Sequence, residues 1–350
     1  MLLIERIWRE AGFPCSQRLK FIIPDWLSSI RKEFNTRPDI ERQILAISAR
    51  QVDRRLKTRK RKHQRRIYGR TKPGRFLKHH IPIRTVHWNI KTPGYCEVDL
   101  VSHSGNNASG LFAYSVNLTD IFTGWVESRA VLGKGEEGVV KAIEDMRQSL
   151  PFGLLGLDCD NGSEFINKHL ERYCRRHNIE FTRGRPYCKE DNAHVEQKNW
   201  THVRRLVGWE RYDTPQAVAA LNDLYTGELR LMMNLFQPCV KLERKIIVGS
   251  MLRRYYDDPK TPLARLSAKR TQRARKISQL KAHLNPFELS RAIQDKLKLI
   301  FSLANVRVWP ITPGKATFRH SRKSKNTSNR SSYNFPTSTF WFHFKNYPFG

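Results

Sequence analysis

Residues 95–207 alternate between short apolar stretches and amphipathic stretches, and this alternation limits the fold more than any other feature of the chain. Three apolar stretches come first: CEVDLVSH from Cys96, LFAYSVNLTD from Leu111 and WVESRAV from Trp125. Clusters of Gly, Asn, Ser and Thr separate them. Such runs, bounded by turn residues, predict three consecutive strands in an antiparallel meander.

The rest of this region predicts helices that alternate with two further strands. In chain order we predict a helix over Glu136–Leu150, a strand in GLLGLDCD, a helix over Ser163–His177, a strand at IEFT and a helix from about Asn192 to Val207. Proline, Asn-Gly and capping residues set these ends. Three strands, helix, strand, helix, strand, helix is the order of a ribonuclease-H-like α/β fold, a mixed five-stranded sheet with flanking helices.

The segment before the sheet predicts an all-α region that contains a helix-turn-helix. Asp39–Leu45 predicts a short helix, and Ser48 with Gln51 forms the S-x-x-Q pattern of a capping box at the start of the next helix. Val52 and Leu56 give that helix an apolar face. Its predicted outward, DNA-binding residues are Arg50, Arg54, Arg55 and Lys57. A short basic amphipathic helix also occurs in proteins that bind no nucleic acid, so both interpretations stay open here.

The charge balance indicates a polyanionic partner. The chain has 64 Lys and Arg against 32 Asp and Glu, a formal net charge of +32, and such an excess repels itself without a partner such as nucleic acid. Thirteen basic residues and no acidic residue lie between Arg54 and Lys78, which predicts an arm along DNA phosphates. No stretch approaches the roughly eighteen apolar residues of a membrane span, so we expect no membrane partner.

Three carboxylates predict the chemistry. Asp99 lies inside the first strand, Asp160 ends the fourth, and Glu196 lies in the first turns of the last helix. A strand Asp is costly to bury unless it binds a cation, and two-metal phosphodiester chemistry needs carboxylates from separate elements around the ions. Any one of them alone would more often face solvent. Together, with thirty-five residues between Asp160 and Glu196, they predict a catalytic metal site.

The segments CEVDLVSH, DCDNGSEF and RPYCKEDNAHVEQKN resemble the three acidic blocks of the DDE integrase-core family of bacterial insertion-sequence transposases and retroviral integrases. Asp99, Asp160 and Glu196 stand where that family has its first Asp, second Asp and Glu, with its frequent spacing between the last two. The resemblance covers roughly Arg84–Leu266, where YYDDPKTPLARL resembles the end of such transposases. It implies a transposase that uses Mg²⁺ or Mn²⁺, usually two ions per site. It also implies a cytoplasmic, nucleoid-associated bacterial protein that acts as a homo-multimer on double-stranded DNA, both the element's terminal inverted repeats and the target.

Other residues near the trio have predicted supporting roles. Glu97 and Asp158 lie two residues before Asp99 and Asp160, so strand geometry puts each on the same face as its neighbour. The predicted supporting set is Glu97, Asp158, Asn161 and Asn192. The helix of Glu196 also carries cations that either contact phosphates or are merely solvated: Lys198, Arg204 and Arg205.

The predicted domain organisation has five parts. They are a helical, helix-turn-helix region at 1–57, a basic linker at 58–83, an integrase catalytic domain at 84–266 with its core at 95–207, a basic helical region at 267–305 and a disordered tail at 306–350. Two alternative functions remain open at this point. One is a nuclease of the same fold that only hydrolyses, and the other is a degenerate, non-catalytic DNA-binding protein.

Overall fold

The computed structural model describes residues 3–62, 90–160, 165, 167–184, 193–248, 251–267 and 272–305. Most of the predicted basic linker, the predicted tail, and the supporting residues Asn161 and Asn192 lie outside these ranges. No helix within them is both long enough and apolar enough to cross a membrane.

Five helices form the N-terminal region. They are α1 (Leu3–Glu10), α2 (Ser16–Asp25), α3 (Leu27–Phe34), α4 (Pro38–Ala46) and α5 (Ala49–Lys62). The capping box at the start of α5 is confirmed, because the Ser48 N–H donates to Gln51 Oε1 at 2.8 Å and the Gln51 N–H donates to Ser48 Oγ at 3.2 Å. Val52 and Leu56 are fully buried, and α5 packs on α2. Helix α5 continues to Lys62 and so includes the first five residues of the predicted linker, 58–62.

The mixed five-stranded sheet is confirmed. Its strands are β1 (Tyr95–Ser102), β2 (Ala113–Asp120), β3 (Val126–Leu132), β4 (Gly156–Cys159) and β5 (Glu180–Arg183). They lie in the order β3-β2-β1-β4-β5. The first three pair antiparallel, as the predicted meander requires, and β4 pairs parallel with both β1 and β5. The carboxyl end of β4 therefore lies beside the middle of β1, at Val98.

Helices cover both faces of this sheet. They are α6 (Glu136–Ser149), α7 (Lys168–Arg176), α8 (Ala193–Lys198), α9 (Arg205–Val207) and α10 (Pro215–Thr226). Helices α6 and α7 pack together on one side, and α8 and α10 pack on the other. A π-helical segment, Asn199–Arg204, joins α8 directly to α9, so the predicted last helix is continuous through 193–207.

The helix predicted over Ser163–His177 is shorter in the structure, and Ser163 itself lies outside the described residues. Helix α7 begins at Lys168, after Asn167. The Asn167 side chain accepts a hydrogen bond of 2.8 Å from the Leu170 N–H, so it serves as the N-cap. The preceding Phe165 is fully buried.

The C-terminal part ties the N-terminal helices to the sheet domain. Its elements are α11 (Glu228–Leu231), a π-helix (Met232–Phe236), a hairpin of β6 (Leu242–Val248) and β7 (Met251–Tyr256), then α12 (Pro262–Ser267), α13 (Gln272–Ala282) and α14 (Pro286–Ser302). Asn285 caps α14, accepting from the Phe287 N–H at 3.0 Å. Helix α14 packs on α10 and α11 and also on α1 and α3. Ser290 Oγ donates to Glu10 Oε2 at 2.8 Å across that contact.

Candidate active site: an acidic cluster where two strands end

Asp99, inside β1, lies beside Asp160 at the end of β4. Val98 of β1 pairs in parallel register with Cys159 of β4, so the next residues along the two strands are Asp99 and Asp160. Asp160 directly follows β4 and is half-buried. The topology therefore brings together two acids that are sixty-one positions apart in the sequence.

Asn199, on the helix that carries Glu196, forms a hydrogen bond with the Asp99 carboxylate. Asn199 Nδ2 donates to Asp99 Oδ2 at 2.6 Å, and the Leu100 N–H donates to Asp99 Oδ1 at 2.7 Å. Asn117, which pairs with Asp99 across β1 and β2, donates from Nδ2 to Asn199 Oδ1 at 2.5 Å. Both oxygens of Asp99 are thus oriented by fixed donors, one from the strand and one from the helix.

The Asp99 carboxylate responds to the other two acids. Burial raises the pKa of Asp99 to about 7, and the charges of Asp160 and Glu196 raise it as well, against the opposing effect of the Leu100 and Asn199 hydrogen bonds. Repulsion of this kind requires carboxylates that lie near one another. Glu196 itself is exposed, in the first turn of α8. Asp160 and Glu196 therefore both lie near enough to Asp99 to raise its pKa.

Glu97 positions the helix that carries Glu196. This carboxylate is buried, and its Oε2 accepts a hydrogen bond of 2.9 Å from the Val195 N–H. The first N–H groups of a helix have no partner within the helix, and a negative charge at that end is favourable. One residue of β1 thereby anchors the first turn of α8 against the sheet.

Asp158 lies beside Glu97 on the same face. The two residues pair in register between β1 and β4, and both are buried. Thr182 Oγ1 of β5 donates to Asp158 Oδ1 at 2.5 Å. This interaction connects the third parallel strand to the acidic edge.

The π-helical segment begins at Asn199, the residue that contacts Asp99. Single π turns inside α-helices occur often at functional sites. The helical periodicity of the sequence put Asn199 on the face of Glu196, but it did not indicate the hydrogen bond to Asp99. The part played by Asn117 had no sequence signal, since it depends on cross-strand register.

The basic residues predicted on this helix do not form an exposed row on the protein surface. Lys198 is only 8% exposed, because it lies two residues, about 200° of helical turn, from Glu196 and so faces the interior. Its predicted contact with a DNA phosphate on the surface does not fit this placement. Arg204 stacks on Trp209 with its guanidinium carbon 4.1 Å from the ring centroid, and Arg205 Nη2 donates to the Gly12 carbonyl. By contrast, the predicted α5 cations Arg50, Arg54, Arg55 and Lys57 are all exposed.

Within the described ranges, no three carboxylate, imidazole or thiol side chains lie close enough together to hold one metal ion. The donor chemistry nevertheless suits a hard divalent cation, which prefers carboxylate oxygens. Asp99 is half-buried beside two acids that disfavour its ionisation, and a cation would relieve that repulsion.

Solved structures and a sequence relative that are similar to parts of this chain are as follows. No family model matches the chain. The catalytic core of BIV integrase is 20% identical with a TM-score of 0.31, covering 41% of this chain and 84% of that one. The HTLV-2 integrase core in complex with magnesium is 15% identical with a TM-score of 0.31, covering 42% and 90%. The uncharacterized protein y4rM of Sinorhizobium fredii is 39% identical over 265 residues, which is 74% of this chain and 75% of that protein. At that identity and coverage, the chain belongs to the family of y4rM.

Proposed function

We propose that this protein is a DDE-type DNA transposase or integrase with a ribonuclease-H-like catalytic domain. It binds the end of a mobile element, cleaves a DNA strand there and joins the resulting 3′-hydroxyl to target DNA. The observation that carries the proposal is the register of β1 with β4, which places Asp99 beside Asp160. Glu196 lies near enough for its charge to raise the pKa of Asp99 as well.

The arrangement around the trio supports catalysis rather than simple burial of acids. Glu97 and Asn199 each join β1 to the helix of Glu196, at 2.9 Å and 2.6 Å respectively. Both contacts limit the movement of that helix against the strands. Phosphoryl transfer asks the protein mainly for positioning and charge stabilisation, and these contacts supply positioning.

Asp99, Asp160 and Glu196 are the residues that would hold Mg²⁺ or Mn²⁺. Bound divalent ions supply activation of the attacking oxygen and stabilisation of the leaving oxygen. Asn199 would keep Asp99 Oδ2 oriented and favour its ionised form, as its hydrogen bond does in the structure. Glu196 is exposed at the start of its helix, so its side chain has room to turn toward the strand ends.

DNA binding is assigned to the exposed basic face of α5, with the basic run beyond it as a second contact. Arg50, Arg54, Arg55 and Lys57 lie outside the packed side of the helix formed by Val52 and Leu56. Contacts of this kind position the protein on the duplex through phosphates, and base edges supply any sequence preference.

The test is a strand-transfer assay with supercoiled plasmid and labelled element-end DNA, with Mg²⁺ or with a chelator. The wild type should give both cleaved and joined products only with the metal. Asp160→Asn should abolish both cleaved and joined products and retain DNA binding. Asp295→Asn, an exposed control, should change neither the products nor DNA binding. Cleavage without joining would instead identify a nuclease. DNA binding without either product would identify a non-catalytic protein.

A further inference from the structure

A second chemically distinctive pocket lies between the N-terminal helices and the helix of Glu196. One wall is formed by 11–14 and Arg18 of α2, and the other by Lys198, His202 and Arg205. Gln237 and Cys239 complete it. On the 193–207 helix, the pocket-lining residues lie on the face that turns toward the N-terminal helices, away from Glu196.

The lining is basic and contains no acid among the described residues. Arg18 and Lys198 form no ion pair with a described carboxylate. Burial, and then the charge of Arg18, lower the pKa of Arg205 to about 9. Positive charges that lie together in a poorly solvated place require a counter-charge. The pocket therefore favours an anion.

His202 provides an unpartnered polar atom in the same pocket. The side chain is 5% exposed, and Nδ1 lies 2.8 Å from Thr201 Oγ1. The other ring nitrogen, Nε2, is buried and has no hydrogen-bond partner in the described part of the chain. Buried polar atoms nearly always have partners, so this nitrogen indicates a ligand group.

We propose that this pocket binds a phosphate group. Arg18, Lys198 and Arg205 supply the positive charge. Burial and the charges of Lys198 and Arg205 hold the pKa of His202 well below its usual value, and a bound phosphate would raise it, so that the imidazole takes up a proton from solution and Nε2 donates to the anion. Oxyanions with several acceptor oxygens match a cluster of cationic N–H donors. Occupation would brace the helix of Glu196 against α2. The phosphate comes either from solution or from DNA, and in the second case the inference rests on the proposed function.

Thermal unfolding of the full chain without divalent metal tests this proposal. Sodium phosphate should raise the melting temperature of the wild type by a few degrees, saturably, above sodium chloride at the same ionic strength. Lys198→Met should lose this response and be more stable than the wild type without phosphate, since it removes an unpaired charge. Arg18→Gln, at a half-buried position, should lose the response without opening a cavity. Lys298→Met, an exposed control on α14, should keep it.

A duplex of arbitrary sequence in place of phosphate distinguishes the sources. If the duplex raises the melting temperature of the wild type more than that of Arg18→Gln, the pocket binds a DNA phosphate. If only inorganic phosphate raises the melting temperature, the pocket binds the free ion. If neither probe stabilises the wild type beyond sodium chloride, or if both stabilise the two pocket variants equally well, the proposal is wrong. Because no metal is present, the result does not depend on whether the acidic cluster is catalytic.

Discussion

Glu97 Oε2 accepts a 2.9 Å hydrogen bond from the backbone N–H of Val195, so a strand carboxylate holds the first turn of the helix that carries Glu196. We expect Glu97→Ala to leave that buried N–H unpaired, which costs about 1–3 kcal/mol, and to lower strand cleavage by misplacing Glu196. Glu97→Gln, which keeps an acceptor oxygen, should retain more of both. Melting temperature and cleavage rate, measured on the two variants together, check this. Equal losses of melting temperature and cleavage rate in Glu97→Ala and Glu97→Gln would show that the charge of Glu97 matters, rather than its hydrogen bond.

Asp99 makes metal-free stability depend on pH. Its pKa of about 7 exceeds the ordinary value of 3.8, so between those values the folded state binds more protons than the unfolded state, and stability falls as pH rises through this window. Asp99→Asn should therefore melt higher than the wild type at pH 8 and nearly equally at pH 4, when both lack metal. Thermal melts from pH 4 to 8 measure it. A wild type that became relatively more stable toward pH 8 would contradict the assignment.

When Asp99 binds a divalent metal ion, stability should instead rise with pH. Divalent metal requires the ionised carboxylate, so Mg²⁺ should stabilise the wild type more at pH 8 than at pH 6. Asp99→Asn should show little response at either pH. Melts with and without Mg²⁺ at constant ionic strength test this, and a similar response in the variant would remove Asp99 from the metal site.

Asn199 should set the metal affinity of the cluster. Asn199→Ala removes the 2.6 Å donor from Asp99 and leaves Asn117 without its acceptor. Loss of such an orienting group typically lowers metal affinity or activity about 10–100-fold. The Mg²⁺ concentration for half-maximal cleavage should rise accordingly. Gln148→Ala, which removes an exposed amide on α6, is the matched control and should leave it unchanged.

The basic face of α5 should carry salt-dependent DNA binding. Replacing both Arg54 and Arg55 by Ala should weaken binding to all sequences and lower the slope of log affinity against log salt by about 1–2. Replacing Arg175 and Arg176, an exposed basic pair on α7, removes the same charge elsewhere. Fluorescence anisotropy at several salt concentrations compares the DNA affinities of the two double variants. Equal affinities and equal salt slopes would show that only net charge matters.

The sequence predicts the strands well because each is an apolar stretch between turn residues, and the start of α5 because its capping box is local. It misplaces the start of α7, since Ser163 after Asn-Gly looks like a cap, while Asn167 makes the cap observed in the structure. The burial of Lys198 and the contact of Asn117 with Asn199 could not be predicted. Both depend on packing between segments far apart in the chain.

Helix α14 packs on the N-terminal helices and on the sheet domain at once. Its contacts, such as Ser290 with Glu10, join the N-terminal helices, which include α5, to the domain that carries Asp99 and Asp160. On the proposed function, this helix works as a molecular ruler. The packing of α14 would then set the number of base pairs between the recognised sequence and the cut phosphodiester. A substitution that loosens this packing would make the cut position less uniform, although it changes no catalytic residue.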